Sequence, residues 1–279
     1  MFLQLMFITN KPQVALIAEK YGVDRIWVDL EVLGKEERQK NLDSVKSFHT
    51  VEDVKVLSKI LKKSELMVRV NPLNKNSKEE IESVIQAGAK RIMLPMWKTE
   101  SEVDEFLKLV NKRVKTTLLL ETKEALECVD SVLENPLIDE IHIGLNDLHL
   151  SYGLTFMFEL LSNGVVEMLC KKFKTRGINY GFGGVAKLGY GDIPAEKIIM
   201  EHFRLGSTRA ILSRSFCNYE KIDSIEKVES EFKTNLNLIH NFISDLEENA
   251  TEEMLQANKQ SVNCLIGKVV ENNRRKQNG

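Results

Sequence analysis

Residues 116–147 read TTLLLETKEALECVDSVLENPLIDEIHIGLND, and this segment sets the fold prediction. Two short runs, 116–120 and 140–143, are rich in β-branched or apolar residues and flank a more polar stretch. Runs of this length and composition are typical of strands that are buried on both faces of a sheet. The segment therefore predicts a strand, a helical connection and a second strand.

The same alternation continues along the chain to about residue 214. The predicted strands cover residues 3–8, 25–29, 66–70, 91–94, 116–120, 140–143, 179–182 and 208–212. Eight strands that alternate with helices predict an α/β fold of the (β/α)8 TIM barrel type. An open, doubly wound sheet is the alternative, because hydrophobic periodicity does not reveal whether a sheet closes.

Helix starts are predicted between these strands. Three hydroxyl residues are followed three positions later by a carboxylate: Thr50 by Asp53, Ser77 by Glu80, and Thr99 by Glu102. In such a capping box the two side chains satisfy backbone N–H groups that the first helical turn leaves without partners. Each pair therefore predicts the start of a helix.

Two stretches depart from the strand–helix rhythm. Residues 31–50 form a polar connection of about twenty residues, a length that is usually functional in a compact domain. Residues 219–279 form two amphipathic helices beyond the eighth strand. We therefore divide the chain into a barrel domain, 1–218, and a C-terminal helical extension, 219–279. A barrel needs one helix after its last strand, so the surplus predicts a homo-oligomer in which the extension packs on a partner subunit.

Composition limits the class of protein. The 279 residues include 39 Lys+Arg and 41 Asp+Glu, and the net charge of −2 offers no basic surplus for nucleic acid. No apolar run approaches the roughly 18 residues that span a bilayer, and the first residues lack a secretory signal pattern. The four cysteines are widely spaced, which indicates reduced core thiols. We therefore expect a cytoplasmic protein with neither a nucleic-acid nor a membrane partner.

Two carboxylates are the sharpest candidates for chemistry. In a (β/α)8 barrel the active site lies at the carboxyl ends of the strands. Glu121 follows the fifth predicted strand and Asp147 follows the sixth. Two carboxylates, with water in the remaining positions, suit Mg²⁺ or Mn²⁺, whereas zinc prefers His or Cys. The alternative is that each carboxylate caps the helix that follows it.

Arg69 lies in the third predicted strand, where a charge is costly without an anionic partner. Its planar guanidinium suits the carboxylate of a substrate, which it can bind through two parallel hydrogen bonds. The alternative is an internal salt bridge with Asp29 or Glu31 at the end of the second strand.

Five motifs follow one another between about residues 20 and 155: Val28-Asp-Leu-Glu, Val68-Arg-Val-Asn-Pro, Gly88-Ala with Ile92-Met-Leu-Pro-Met, Leu120-Glu-Thr, and Ile143-Gly-Leu-Asn-Asp-Leu. In this order and spacing the chain resembles the HpcH/HpaI aldolase and citrate lyase β-subunit family. Residues 156–218 follow the family less distinctively, and the C-terminal helices resemble it only in kind.

The resemblance implies a barrel of the phosphoenolpyruvate/pyruvate superfamily, with a divalent metal on Glu121 and Asp147. It also implies that Arg69 contacts a 2-oxo acid such as pyruvate. The carboxylate of that acid would be held by backbone N–H groups near Gly144, Leu145 and Asn146. Family members commonly exchange C-terminal helices between subunits, which agrees with the homo-oligomer predicted from the extension.

One position departs from the family's pattern. The aldolase branch carries a motif like Asp-x-Glu-His at the second strand and the lyase branch one like Asp-Leu-Glu-Asp, but here Val32 follows Glu31. A valine transfers no proton, so the general acid/base has to come from another group. The polar connection offers Glu31, Lys35, Arg38 and His49.

Among these groups we choose His49, because imidazole titrates near neutrality, where general acid/base transfer is most efficient. The alternative is an exposed loop histidine just ahead of the Thr50 helix start. The predicted catalytic set is Arg69, His49 and Asp29.

Three functions remain open. The first is a metal-dependent aldolase-type carbon–carbon lyase that acts on a 2-oxo acid. The second is a citrate-lyase-like enzyme that acts on an acyl-CoA, and it predicts a basic groove for the nucleotide, although no basic run stands near the strand ends. The third is a non-catalytic scaffold that kept the fold, which Val32 favours and the retained polar residues disfavour.

Overall fold

The structure, a computed structural model, describes residues 2–34 and 49–278. Its eight parallel strands form a closed barrel in chain order, which confirms the predicted (β/α)8 fold and excludes the open sheet. The strands are β1 (Gln4–Ile8), β2 (Arg25–Asp29), β3 (Glu65–Arg69), β4 (Arg91–Leu94), β5 (Lys115–Leu120), β6 (Glu140–Ile143), β7 (Asn179–Val185) and β8 (Arg209–Leu212).

The predicted strands match the observed ones within a few residues. The bounds of β2, β4 and β6 are as predicted, whereas β7 continues three residues past its predicted end. The added residues include Gly183 and Gly184, which the hydrophobic pattern does not recognise as strand. The register between β7 and β8 shifts at this point, and Gly183 adopts a left-handed φ of 51°. Glycine permits this irregular strand end without steric cost.

The chain divides into two compact units, residues 6–141 and residues 1–5 with 142–279. The helices of the first unit are α1 (Pro12–Lys20), α2 (Val51–Ile60), α3 (Ser77–Gln86), α4 (Glu100–Val110), α5 (Lys123–Glu127) and α6 (Val129–Val132). Those of the second unit are α7 (Leu145–Ser151), α8 (Glu159–Ser162), α9 (Val165–Thr175), α10 (Ala195–Leu205), α11 (Ile225–Asn249) and α12 (Glu252–Asn278).

Two of the three predicted capping boxes are formed. At the starts of α2 and α4, a threonine and the carboxylate three positions later bond each other's backbone N–H groups. The box predicted at Ser77 is wrong, because Ser77 is the first residue of α3 and Asn76 stands at the cap position. The partner expected for Ser77 is also engaged elsewhere, since the Glu80 carboxylate accepts a hydrogen bond from the side chain of Asn71.

The two long helices of the extension belong to the second unit. α11 buries one apolar stripe, which consists of Val228, Phe232, Leu236, Ile239, Ile243 and Leu246. α12 packs against α8 and α10, and within this contact the Asn258 side chain donates to the Glu201 carboxylate at 2.9 Å. The homo-oligomer with exchanged helices stays a prediction.

Two predictions drawn from composition have structural counterparts. The four cysteines are free thiols, and Cys170 and Cys217 are buried as predicted, but Cys264 is exposed. A core location is therefore wrong for Cys264. Among residues 2–34 and 49–278, every helix is too short or too polar to cross a membrane.

Within the unit of residues 6–141, buried ion pairs link the amino ends of the strands. The Arg25 guanidinium donates to both carboxylate oxygens of Glu140, at 2.7 and 3.2 Å, and to Glu65 at 2.7 Å. Arg91 donates to the same Glu65 oxygen at 3.0 Å. Burial acts to lower the pKa of Arg25, but the charges of Glu140 and Glu65 raise it overall. This network links β2, β3, β4 and β6 through buried charged hydrogen bonds.

Glu140→Gln is expected to lower the free energy of unfolding by about 3 kcal/mol, because it removes the charge that faces the buried Arg25 guanidinium. Urea unfolding followed by circular dichroism measures the change. The matched control is Glu82→Gln, which removes the exposed partner of Arg113 and should leave the midpoint unchanged. Equal midpoints for both variants would show that the buried network contributes no net stability.

Candidate active site

Arg69 is the centre of a charged cluster in the unit of residues 6–141. It ends β3 and stands beside Asp29, the last residue of β2, in the strand register. Its Nε and Nη2 atoms donate to the two Asp29 carboxylate oxygens, each at 2.8 Å. Its Nη1 atom lies 3.3 Å from the Glu31 carboxylate. The internal salt bridge that the sequence analysis gave as the alternative for Arg69 is therefore formed, and it involves both Asp29 and Glu31.

The cluster gathers three carboxylates around one guanidinium. Burial acts to lower the pKa of Arg69, but the carboxylates of Asp29 and Glu31, with a smaller contribution from Glu121, raise it overall. All three carboxylate side chains are buried. Carboxylate oxygens are the ligands that hard divalent cations prefer.

The Arg69 guanidinium keeps donors for a further partner. Of the five N–H donors of an arginine, two go to Asp29 and one points toward Glu31. The indole ring of Trp27 covers one face at 5.1 Å from the guanidinium carbon, and the side chain is 13% exposed. Two donors therefore remain for a substrate, so the clamp stays a prediction that the ion pairs do not preclude.

His49 lies against the end of β2 rather than in open solvent. Its Nδ1 atom accepts a hydrogen bond of 2.9 Å from the backbone N–H of Asp29. Because Nδ1 accepts, the proton of the neutral ring is on Nε2. The position is fixed from the other side by the Thr50 capping box, in which Asp53 also accepts a hydrogen bond from Asn10. His49 therefore contacts the backbone of Asp29, whose side chain binds Arg69. Lys35 and Arg38 lie outside the described residues.

Glu121 directly follows β5, and its carboxylate is buried. One carboxylate oxygen accepts a hydrogen bond of 3.1 Å from the backbone N–H of Met96, which has a left-handed φ of 54°. Such strain in a non-glycine residue is characteristic of functional sites. The helix that follows, α5, is capped by Thr122 instead. Capping therefore does not account for Glu121.

The remaining candidates belong to the second unit, where they form the start of α7. Gly144 is the N-cap residue, and Leu145, Asn146 and Asp147 form the first turn. The first-turn N–H groups of a helix have no partner within the helix, and the family resemblance assigns the substrate carboxylate to them. The Leu145 side chain packs so closely against Gly183 that a Cβ at position 183 would come within 2.7 Å of it. Asp147 shares the first turn, so helix capping stays open as its alternative role.

The sequence analysis missed two residues that position the start of the polar connection. The side-chain oxygen of Asn71 accepts hydrogen bonds from the backbone N–H groups of Val32 and Leu33, both at 2.9 Å. Its amide nitrogen donates to Glu80 at 2.8 Å. Burial raises the pKa of Glu80, although the bonds from Asn71 act against this shift. The only available signal was an asparagine directly after a strand and before a proline.

The comparison with known proteins identifies a family. The sequence model for HpcH/HpaI aldolase/citrate lyase matches residues 3–159, more than half of the chain. The chain belongs to this family. No curated protein matches it by sequence. Membership in an aldolase/citrate lyase family supports a lyase as the kind of enzyme.

Solved structures share the fold of this family member. An HpcH/HpaI aldolase from Desulfitobacterium hafniense DCB-2 has a TM-score of 0.60 at 14% identity, over 85% of this chain and 92% of that one. An HpcH/HpaI aldolase/citrate lyase family protein from Burkholderia cenocepacia J2315 has 0.58 at 13%, over 81% and 94%. The citrate synthase SbnG has 0.58 at 16%, over 86% and 93%. At these identities the likeness shows the fold alone.

The HpcH/HpaI member described here presents an apolar side chain at the end of its second-strand motif. Val32 is 60% exposed, and Leu33 beside it is also exposed. Asn71 accepts hydrogen bonds from the backbone N–H groups of both residues, and the Val32 side chain has no proton to transfer.

Arg69→Lys is expected to lower the kcat/KM of the lyase reaction by about a hundredfold, because an ammonium group cannot reproduce the two planar hydrogen bonds that Arg69 makes with Asp29. Steady-state kinetics measure the loss. Arg113→Lys, at an exposed ion pair, is the matched control and should keep full activity. Near wild-type activity in Arg69→Lys would make Arg69 a purely structural residue.

Proposed function

We propose that the protein is a divalent-metal-dependent lyase of the aldolase type that cleaves a 4-hydroxy-2-oxo acid into pyruvate and an aldehyde. The observation that carries this proposal is the buried charge around Arg69 at the carboxyl ends of the strands. Charged groups are costly to bury, and perturbed charged groups concentrate at functional sites. The lyase chemistry of the family agrees with this reading.

Glu121 and Asp147 are the proposed metal ligands. Both are hard oxygen donors, and Mg²⁺ typically uses one or two carboxylates while it keeps several waters. In the part of the chain that the structure describes, no three His, Cys, Asp or Glu side chains form a ready metal cage. The donor set therefore fits Mg²⁺ or Mn²⁺ rather than zinc. When bound, the metal supplies a Lewis acid that polarises the 2-keto oxygen.

Arg69 and the start of α7 are the proposed substrate contacts. The two remaining Arg69 donors bind the 2-oxo acid and stabilise the negative charge that develops as the carbon–carbon bond breaks. The backbone N–H groups of Gly144, Leu145 and Asn146 hold the substrate carboxylate. Asp29 acts through Arg69, because it fixes the guanidinium plane with both of its oxygens.

His49 is the proposed general acid/base. In the aldol cleavage a base takes the proton of the 4-hydroxyl group, and an acid later protonates carbon 3 to give pyruvate. An imidazolium ring has no lone pair on Nδ1, so proton uptake by His49 has to break its bond with the Asp29 N–H. Proton transfer is therefore coupled to a movement of the ring away from the backbone of β2.

The scaffold alternative explains the site less well. A protein that only kept the fold would gain stability by replacing the buried charges around Arg69 with apolar residues. Glu121 and His49, which the proposed reaction uses, would have no role in such a protein.

The wild-type protein is expected to release pyruvate from one or more of a panel of 4-hydroxy-2-oxo acids when Mn²⁺ is present, and to stop when a chelator is added. Glu121→Gln and Asp147→Asn should each weaken Mn²⁺ binding by about tenfold or more, because each removes an anionic ligand. Calorimetric titration measures the affinity without reference to activity.

The matched control for the metal variants is Glu124→Gln, which changes an exposed carboxylate three residues after Glu121. It should bind Mn²⁺ as the wild type does. Unchanged affinity in both ligand variants would remove the metal site, and absence of pyruvate release across the panel would favour the scaffold.

His49→Ala is expected to lower kcat by roughly 10²–10⁴-fold with little change in metal affinity, as the loss of a general acid/base does. His49→Gln, which can form hydrogen bonds but cannot carry a proton, should lose as much. His240→Ala, on α11, is the control. Full activity in His49→Ala would exclude the residue, and activity retained only in His49→Gln would assign it hydrogen bonding instead of proton transfer.

A further inference from the structure

A basic groove opens at the carboxyl ends of β7 and β8, within the unit of residues 142–279. The connections that follow the two strands, the 3-10 helix Tyr219–Lys221 and the first turns of α11 enclose a cavity of about 530 Å³. Four cationic side chains line it: Lys187, Arg214, Lys221 and Lys227. The single carboxylate in the lining is Glu231. Among the lining residues, cationic side chains therefore outnumber carboxylates by four to one.

Two of the lysines in this groove have carboxylate partners within 4 Å. Lys187 lies 3.6 Å from Glu231, and Lys227 lies 3.3 Å from the exposed Asp223. Among the described residues, no carboxylate comes within 4 Å of the Lys221 ammonium group. Exposed pairs of this kind contribute little, so a ligand anion displaces them at small cost.

The floor of the groove is buried and uncharged. Phe216 packs edge-on against Phe232 of α11, with ring centroids 5.4 Å apart. Burial, with a contribution from Glu231, raises the pKa of the Cys217 thiol to about 11, so the thiol is neutral near pH 7. Recognition of a charged ligand by this groove therefore depends on the four cations.

The place of the groove in the fold is also informative. In (β/α)8 barrels the connections after strands 7 and 8, with the N-terminus of an additional helix, frequently form a phosphate site. Here the same two connections and the start of α11 carry the cations. The sequence analysis missed the site because its basic residues are spread over residues 187–227 and form no run.

We propose that this groove binds a phosphate or diphosphate group that the substrate carries on its non-pyruvate fragment. The assignment to a substrate rests on the proposed lyase function, whereas anion binding by the groove does not. Two sources share this chemistry: a phosphorylated aldehyde and the nucleotide portion of an acyl-CoA. Either source gives the enzyme a handle remote from the bond that breaks, and such binding orients the reacting carbon atoms.

The test is calorimetric titration of the full chain with inorganic pyrophosphate, in the absence of metal and 2-oxo acid. The wild type should bind, and its affinity should fall as NaCl is added. The double variant Lys221→Glu/Lys227→Glu should bind at least about tenfold more weakly, because it replaces two charge-assisted contacts with repulsion. Lys171→Glu on α9, outside the groove, is the matched control and should bind as the wild type does.

The double variant should remain folded, because both positions are exposed and a glutamate in the first turn of α11 is favourable. Thermal unfolding checks this. Competition of pyrophosphate by coenzyme A or by glyceraldehyde 3-phosphate supports the groove and identifies the source. Absence of pyrophosphate binding by the wild type, or equal binding by the double variant, overturns the proposal, whether or not the protein proves to be a lyase.

Discussion

The candidate site depends on the paired hydrogen bonds between Arg69 and Asp29, which join the ends of two adjacent strands. Parallel pairing places the two residues side by side, and the guanidinium and carboxylate planes then fit without distortion. Asp29 also accepts from the backbone N–H of Glu31, while its own backbone N–H donates to His49. Asp29 therefore positions the Arg69 guanidinium, the backbone of Glu31 and the ring of His49.

Two buried arginines show how the ends of the strands differ within the unit of residues 6–141. At the amino end, Arg25 binds both oxygens of Glu140 and also Glu65, so its charge is matched inside the protein. At the carboxyl end, Arg69 donates to both oxygens of Asp29 and lies close to Glu31, and the charge of Glu121 also raises its pKa. In barrels of this type the amino face serves stability and the carboxyl face serves catalysis. The two arginines therefore lie on the two faces that have these different roles.

The fold was predictable because buried parallel strands leave short apolar runs that the polar connections interrupt. Closure of the barrel was not, since no residue pattern distinguishes a closed sheet from an open one. The cap predicted at Ser77 failed because Glu80 pairs with Asn71, a contact outside its own helix. The groove at the ends of β7 and β8 escaped prediction for a related reason: its cations come from separate segments that only the fold brings together. A sequence shows which residues can interact when they are close along the chain. It does not show which distant residues the fold brings together.

The exposed Val32 changes what the rest of the site has to do. A side chain directly after the second-strand motif would follow the fixed backbone of β2, but His49 reaches the same strand from the start of α2. As a neutral ring bonded through Nδ1, it presents Nε2–H and can only donate. A neutral imidazole in that state polarises an oxygen without protonating it. To take up a proton on Nδ1, His49 has to release the backbone N–H of Asp29. The free energy of this hydrogen bond therefore adds to the barrier of proton transfer. If His49 is the acid/base that we propose, this bond is therefore broken and reformed in each cycle.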